Sequence, residues 1–349
     1  MRNTTPEIEI AGRLIGQNHP PLVIAEIGIN HEGSLNVAKE MVNSAVKAGV
    51  ELIKHQTHIV DDEMADAAKT IKPGNSDVPI YSIMERCALN EEEELELKEY
   101  TEKAGLIFLS TPFSRAAVDR LDNFNVPAFK IGSGECNNLP LLSYIANLGK
   151  PIIMSTGMNS LESVQRSVDI LKSYGVPYAL LHTTNLYPTP DHLVRLGAMS
   201  ELAEHFPEAV YGLSDHSLSN HACFGAVAMG ASILERHYTD FKNRTGPDII
   251  CSMDESDFVQ LKEGCEILWK QRGGKKGASD EEKVTMDFAF SSVCAIRNIN
   301  LGEEYTMQNI WVKRPGTGDI PAHQFDSVLG KKAFRNIENG KMLERRDID

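Results

Sequence analysis

Short runs of apolar residues that close on polar side chains recur along the first two-thirds of the chain, and between them the apolar positions return to helical spacing. LVIAEIGINH is the first such run after a possible short hairpin over residues 8–15. Buried-type strands then follow at 51–57, 106–112, 128–135, 151–158, 178–185, 209–215 and 232–237. The intervening periodicity predicts helices over 35–48, 91–104 behind an Asn90 cap, 115–123, 139–148, 161–174, 196–206, 220–229 and, after the last strand, 255–269. Eight strand–helix units in about 250 residues is the count and size of a (β/α)8 barrel. A doubly wound open sheet would stop earlier and carry a Gly-rich phosphate turn after its first strand, and this sequence has none there.

The polar residues sit where each strand finishes: Glu26; Lys54 and Gln56; Ser110 and Thr111; Lys130, Ser133 and Glu135; Ser155 and Thr156; His182 and Asn185; Ser214 and His216; Glu235 and His237. One such residue is ordinarily a solvated cap, but eight coincident polar ends mark the catalytic face of a barrel. GLSDHS and SILERHYT each end an apolar run with a histidine, and a small-residue helix between them is long enough to return the chain to the next parallel strand. His216 and His237 are therefore expected side by side, with Asp215 and Glu235 next to them, as neutral imidazoles able to hold a divalent metal.

Lys54 and Lys130, with hydroxyls of Thr111, Ser133, Ser155 and Ser214 and amides near Gly157, form an expected pocket for a small phosphate and carboxylate. The competing reading of the lysines is ion pairing with Glu26 or Glu135. Glu26, Gln56, Asn75, Glu235 and Asp248 suit a polyhydroxylated ligand. The connection 58–90 has too few apolar residues for a domain and reads as a lid or side wall, while the YPTP turn at 187–190 is stiff enough to hold Tyr187 over the cavity.

Composition narrows the ligands. The chain has 349 residues, 42% of them hydrophobic, enough for a large core, and a formal net charge of -14. No clustered basic face is available for nucleic acid, so any anionic ligand must be small and enclosed. Six scattered cysteines without framework spacing are expected as reduced thiols of a cytoplasmic protein, and no apolar stretch is long enough to cross a membrane. Beyond the barrel, residues 1–270, lies a charged, Gly-rich linker, 271–286, and then a small β-rich domain, 287–349, with β-type runs such as FAFSSVCAI and NIWVKRPG.

EIGINHEGS, KHQTHIVDDEM, STPFSRA, KIGSGECNN, STGMNS, HTTNLYPTP, GLSDHS, LERHYTD, GPDIICSM and WVKRPGTGD, in this order, resemble the bacterial sialic acid synthases, the N-acetylneuraminate synthase family, over essentially the whole chain. The resemblance implies a barrel fused to an antifreeze-like (SAF, β-clip) domain. It also implies condensation of phosphoenolpyruvate with open-chain N-acetylmannosamine and release of inorganic phosphate. His216 and His237 would bind manganese or magnesium, which polarises the sugar aldehyde. Lys130, Ser133, Ser155, Gly157 and Asn185 would hold the phosphate, and Lys54, Thr111 and Ser214 the carboxylate. Gln56, Asn75, Tyr187, Asp248 and Glu26 would hold the sugar. Arg314, with Phe288 nearby, would reach the sugar from the other subunit of a domain-exchanged homodimer. Glu26 and Glu235 are the candidate proton carriers, with Lys54 beside them. Legionaminic or pseudaminic acid synthesis from a 6-deoxy diacetamido hexose is the alternative within the family. A metal-dependent aldolase or isomerase, or a sugar- or ice-binding module, is the alternative outside it.

Overall fold

The computed structural model describes residues 5–73 and 76–348, and the chain divides into two compact units, Met1–Gly273 and Gly274–Asp349. The first is a parallel barrel. A hairpin of β1 (Glu7–Ile10) and β2 (Arg13–Gly16) precedes β3 (Leu22–Gly28), α1 (Leu35–Ala48) and β4 (Leu52–Thr57). The 58–90 connection holds α2 (Val60–Glu63), a short 3-10 turn at Asp66–Lys69 and α3 (Ile80–Cys87). The alternation then runs α4 (Glu91–Lys103), β5 (Ile107–Pro112), α5 (Arg115–Asn123), β6 (Phe129–Ile131), α6 (Leu139–Ala146), β7 (Ile152–Ser155), α7 (Leu161–Tyr174) and β8 (Tyr178–Thr183). It continues through α8 (Asp191–Val194), α9 (Leu196–His205), β9 (Val210–Asp215), α10 (His221–Ala228), β10 (Ile233–His237) and α11 (Glu255–Gln271).

The eight strands pair in parallel in the order β5-β4-β3-β10-β9-β8-β7-β6. β5 and β6 lie against each other at the seam, so the sheet comes round on itself as a nearly closed (β/α)8 barrel. Helix ends follow local chemistry: the Ser34 side chain accepts from the Val37 amide at the start of α1, and Gly49, at φ 74°, ends it in the left-handed conformation.

Strand alternation sorts the side chains into two cores. One set, including Val23, Ala25, Ile27 and Ile53, packs outward beneath the helices. The other, Leu22, Ile24, Leu52, Leu109, Ala128, Ile153, Ala179, Leu181 and Ile233, fills the barrel axis, and Ile8, Ile10 and Ile15 of the hairpin seal its lower end. Gly212 on β9 is required by this packing, because a Cβ there would lie 2.0 Å from the Ile233 carbonyl oxygen.

Three expectations change, the first being the 151–158 strand, which ends at Ser155. The 128–135 strand stops at Ile131, because Gly132 to Glu135 close a turn through the Glu135 amide and the Gly132 carbonyl. The end of the expected linker is helical: α12 spans Lys283–Ala289, so the FAF residues read as β begin in a helix. The second unit then carries β11 (Ser292–Ala295) antiparallel to β12 (Ile310–Lys313) and isolated bridges around a core of Val293, Ile299, Tyr305, Ile310 and Leu343.

Candidate active site

The same inward positions that are aliphatic near the floor become polar near the top of each strand. On β3, Leu22 and Ile24 give way to Glu26; on β4, Leu52 to Lys54 and Gln56; on β10, Ile233 to Glu235 and His237. They open into a cavity of about 1030 Å3 at the carboxyl ends of the strands, where barrel enzymes do chemistry. One wall comes from the 58–90 connection, through Glu63, Met64, Val78, Ile80, Ile83 and Met84.

The cavity is built on a buried charge network. Lys54 Nζ contacts Glu26, lies 3.7 Å from Glu235 and donates to Thr111 at 3.1 Å. Lys130 Nζ donates to Ser155 at 2.8 Å and to the Ile131 carbonyl at 3.1 Å, and stands 3.7 Å from Glu235. Burial disfavours ionisation of Glu235, but Lys130 and Lys54 outweigh it and hold the carboxyl below its ordinary range. Glu26, which shares Lys54 with Glu235, is pushed up to about 7, chiefly by burial. Burial lowers Lys130 to about 8, whereas on Lys54 the two carboxylates overcome burial and raise it. Beside Lys130, the Gly157 amide donates to Ser133 Oγ at 3.0 Å. A Cβ on Gly157 would lie 1.8 Å from Asn185 Oδ1, so only glycine lets Asn185 reach this corner.

Across the cavity, His216 and His237 have ring centroids 5.4 Å apart, and Tyr187 stacks on His216 at 4.1 Å. Their positions follow from what lies behind them. Asp215 and Arg236, facing outward on the same strands, approach to 3.4 Å, and Arg236 donates to the Ser217 carbonyl at 2.7 Å, which ties down the loop carrying His216. The Thr189 amide bonds the His216 carbonyl, anchoring the turn after Tyr187. Burial lowers His216 to about 4 and His237 to about 3, so both rings are neutral.

His216 Nδ1 faces the Thr184 carbonyl at 3.0 Å, which places the proton there and leaves the Nε2 lone pair free. His237 Nδ1 is buried with no hydrogen-bond partner, and Asp248 is 3.7 Å away. Two neutral imidazoles of this kind fit a divalent cation, and no cluster of three or more ligating side chains is present among the described residues. Glu235 Oε2 and Asn185 Oδ1 are likewise buried without partners in this cavity, as expected of groups that meet a ligand.

Glu26, Lys54, Gln56, Thr111, Lys130, Ser133, Ser155, Asn185, Tyr187, Ser214, His216, Glu235, His237 and Asp248 all line this one cavity. Gly157 joins through Ser133. Asn75 lies outside the described residues. Phe288, on α12, and Arg314, after β12, belong to the second unit, where both are exposed. Four polar strand ends do other work, among them Thr156, which donates to the Leu181 carbonyl at 3.0 Å. His182 bonds the Val194 carbonyl at 2.7 Å, Ser110 bonds Thr57, and Glu135 accepts from Asn138. Of the two ion-pair readings of the lysines, Glu26 does pair with Lys54, whereas Lys130 approaches Glu235 and not Glu135. His58, Glu63 and Phe113 line the cavity without having been singled out. His58 was legible as the next inward position after Lys54 and Gln56.

Inward-pointing charge of this density in a deep barrel mouth is the signature of an enzyme rather than of a binding module, and comparison with known proteins places that enzyme among the sialic acid (nonulosonic acid) synthases. N,N'-diacetyllegionaminic acid synthase of Campylobacter jejuni is 34% identical over 92% of this chain and 98% of its own length. Human N-acetylneuraminate-9-phosphate synthase is 30% identical over 98% and 97%. The crystal structure of N-acetylneuraminic acid (sialic acid) synthetase from Leptospira borgpetersenii, in complex with citrate, superposes with a TM-score of 0.75 at 29% identity, covering 82% of this chain and 97% of that one. Residues 41–277 match the NeuB family model and residues 290–348 the SAF domain. The chain belongs to the NeuB family.

Proposed function

We propose that this enzyme condenses phosphoenolpyruvate with open-chain N-acetylmannosamine to give N-acetylneuraminate and inorganic phosphate. The observation that carries the reading is the division of one cavity into a cationic corner around Lys54 and Lys130 and a pair of neutral imidazoles opposite. The names of the relatives fix the product class, and the acceptor sugar is the finer part of the proposal.

Lys130, Ser155, Ser133, the Gly157 amide and Asn185 bind the phosphate, and Lys54, Thr111 and Ser214 the carboxylate. Gln56, Asn75, Tyr187, Asp248 and Glu26 orient the sugar so that its C1 faces C3 of the enol ester. Manganese or magnesium held by His216 and His237 would supply Lewis-acid polarisation of the aldehyde oxygen. As the C3–C1 bond forms, the new hydroxyl takes a proton. Water then adds at C2 with loss of a proton, and the C–O bond to phosphate breaks. Glu26, close to neutrality in its titration, can carry these protons, while Glu235 stays ionised between the lysines and stabilises positive charge developing at C2. Arg314 and Phe288 complete the sugar site of the partner in a domain-exchanged homodimer. Six buried free thiols suit a cytoplasmic setting, and no helix among the described residues is long and apolar enough to cross a membrane.

A 6-deoxy diacetamido hexose is the second reading, favoured by the apolar wall of Val78, Ile80, Ile83 and Met84, which could receive a methyl and a second acetamido group. Phosphate release from phosphoenolpyruvate with manganese and a panel of mannosamine-type sugars tests both. Release with N-acetylmannosamine, abolished by chelator and restored by manganese, is expected. Turnover only with a 6-deoxy sugar selects the second reading. Chelator-insensitive turnover removes the metal from the reaction, and no release with any sugar removes the function.

A further inference from the structure

Glu26 is reached by a row of side chains that begins on the cavity wall. Glu63 Oε2, at the end of α2, is 2.8 Å from His58 Nδ1. His58 Nε2 is 3.1 Å from Gln56 Oε1, and Gln56 Nε2 is 2.8 Å from Glu26 Oε1. His58 is buried and lies flat on Phe113, with centroids 4.4 Å apart and planes 11° from parallel, so the ring cannot swing away from its neighbours. Glu26's second oxygen is occupied by Lys54.

The direction of donation along this row is forced at one end. While Glu26 is ionised against Lys54 its carboxylate accepts only, so in that state the Gln56 NH2 group faces Glu26 and the Gln56 carbonyl faces His58. That carbonyl needs a donor, so His58 carries a proton on Nε2. One more proton then lies between Nδ1 and Glu63. Without the Nε2–H, the Gln56 carbonyl loses this donor, and the Gln56 side chain, then held at one end alone, swings more freely off Glu26 and no longer fixes the direction of its carboxyl.

Resting on the proposed condensation, we propose that His58, held by Glu63 of the cavity wall and by Phe113, is a positioning residue that locks the Gln56 amide and thereby aims Glu26 at the reacting atoms. His58 touches no reacting atom in this scheme. It acts through Gln56, and the contact with Glu63 links α2 to the orientation of a proton carrier.

Two variants and one spectrum test this. His58→Phe keeps a ring against Phe113 and removes both nitrogens, while His58→Gln keeps a donor able to reach Gln56. His58→Phe should lower kcat by about tenfold or more, the scale of one lost charge-linked hydrogen bond. The KM for phosphoenolpyruvate, whose phosphate is held around Lys130, should change much less than kcat. His58→Gln should recover most of the loss. Full activity in His58→Phe, or equal losses in the two variants with melting points unchanged, overturns the proposal. Nitrogen NMR of ring-labelled histidine in the wild-type protein should show a protonated, exchange-protected His58 Nε2, assigned by its absence in a His58 variant. A bare Nε2 overturns the proposal whatever the kinetics. Wild-type protein that releases no phosphate defeats the proposed function instead, and the spectrum still decides the His58 arrangement.

Discussion

Gly157→Ala adds one methyl group at the phosphate corner, and its effect can be worked from the geometry. The backbone at Gly157 is not in the left-handed region, so alanine brings no conformational strain and the cost is one of space. The new Cβ would stand 1.8 Å from Asn185 Oδ1, 2.8 Å from Ser133 Oγ and 3.1 Å from Asn185 Cγ. The nearest of these is about 1.6 Å short of the 3.4 Å at which ordinary contact begins. Asn185 must therefore swing out of the corner, and Ser133 must shift by several tenths of an ångström.

A misplacement of about 1 Å in a positioning group can cost on the order of a hundredfold in rate. kcat/KM for phosphoenolpyruvate should accordingly fall by about two orders of magnitude. The fold should lose only about 1–2 kcal/mol, because the colliding atoms end a side chain that has a cavity to move into. Steady-state kinetics by phosphate release, with a thermal melt in parallel, measures both. The decisive version is a double-mutant cycle. In an Asn185→Ala background most of the clash is gone, so Gly157→Ala should then cost less than about tenfold. Equal penalties in the two backgrounds, or wild-type kinetics in the single variant, would show that Asn185 does not hold the phosphate from this corner.

Arg314→Ala removes an exposed charge from the second unit, so the melting temperature should barely change while the KM for the sugar rises by about tenfold or more. Unchanged sugar kinetics would rule out a crossing of Arg314 into a partner's site. Glu94, on the buried face of α4, receives hydrogen bonds from His55, Thr57 and Arg120; burial opposes its ionisation, yet these partners win and hold its carboxyl below the ordinary range. A depressed carboxyl contributes stability that is present above the unfolded-state value and lost as pH falls through the folded one. Glu94→Gln should therefore melt well below wild type at pH 7, by about 3 kcal/mol as expected for a broken buried pair. The gap between the two melting curves should close on acidification below about pH 4.5; a gap that stays constant with pH would refute this account.

The barrel was legible because two periods were in view at once: helical spacing over 35–48, 115–123 and 161–174, each matching a helix end to end, and short apolar runs that could only be buried strands. The site was legible through the alternation of inward residues, which placed Lys54, Gln56, Glu235 and His237 in one cavity. The failures have physical causes. His182 and Ser110 looked like the other polar strand ends, but each stands one position out of phase and faces the helices. Glu135 was carried into the site by extending β6 through a Gly-Ser-Gly turn that bends the chain away. Asp215 and Arg236 set the stage for the histidine pair from behind it, and no spacing rule points to an outward ion pair. The FAF segment has the composition of a strand, yet it begins inside a helix that starts at Lys283 and carries an i,i+4 pair between Lys283 and Asp287.

The hairpin that stoppers the bottom of the barrel has a kinetic corollary. With Ile8, Ile10 and Ile15 closing that end, the cavity opens, among the described residues, at the carboxyl ends of the strands. On β10, Glu235 sits two residues closer to the stopper than His237, so a guest seated beside Lys130 at the level of Glu235 leaves past the level of the histidines and Tyr187. Two guests seated one above the other in such a well are expected to enter in order, the deeper first, and what is left of the deeper one to leave after the upper.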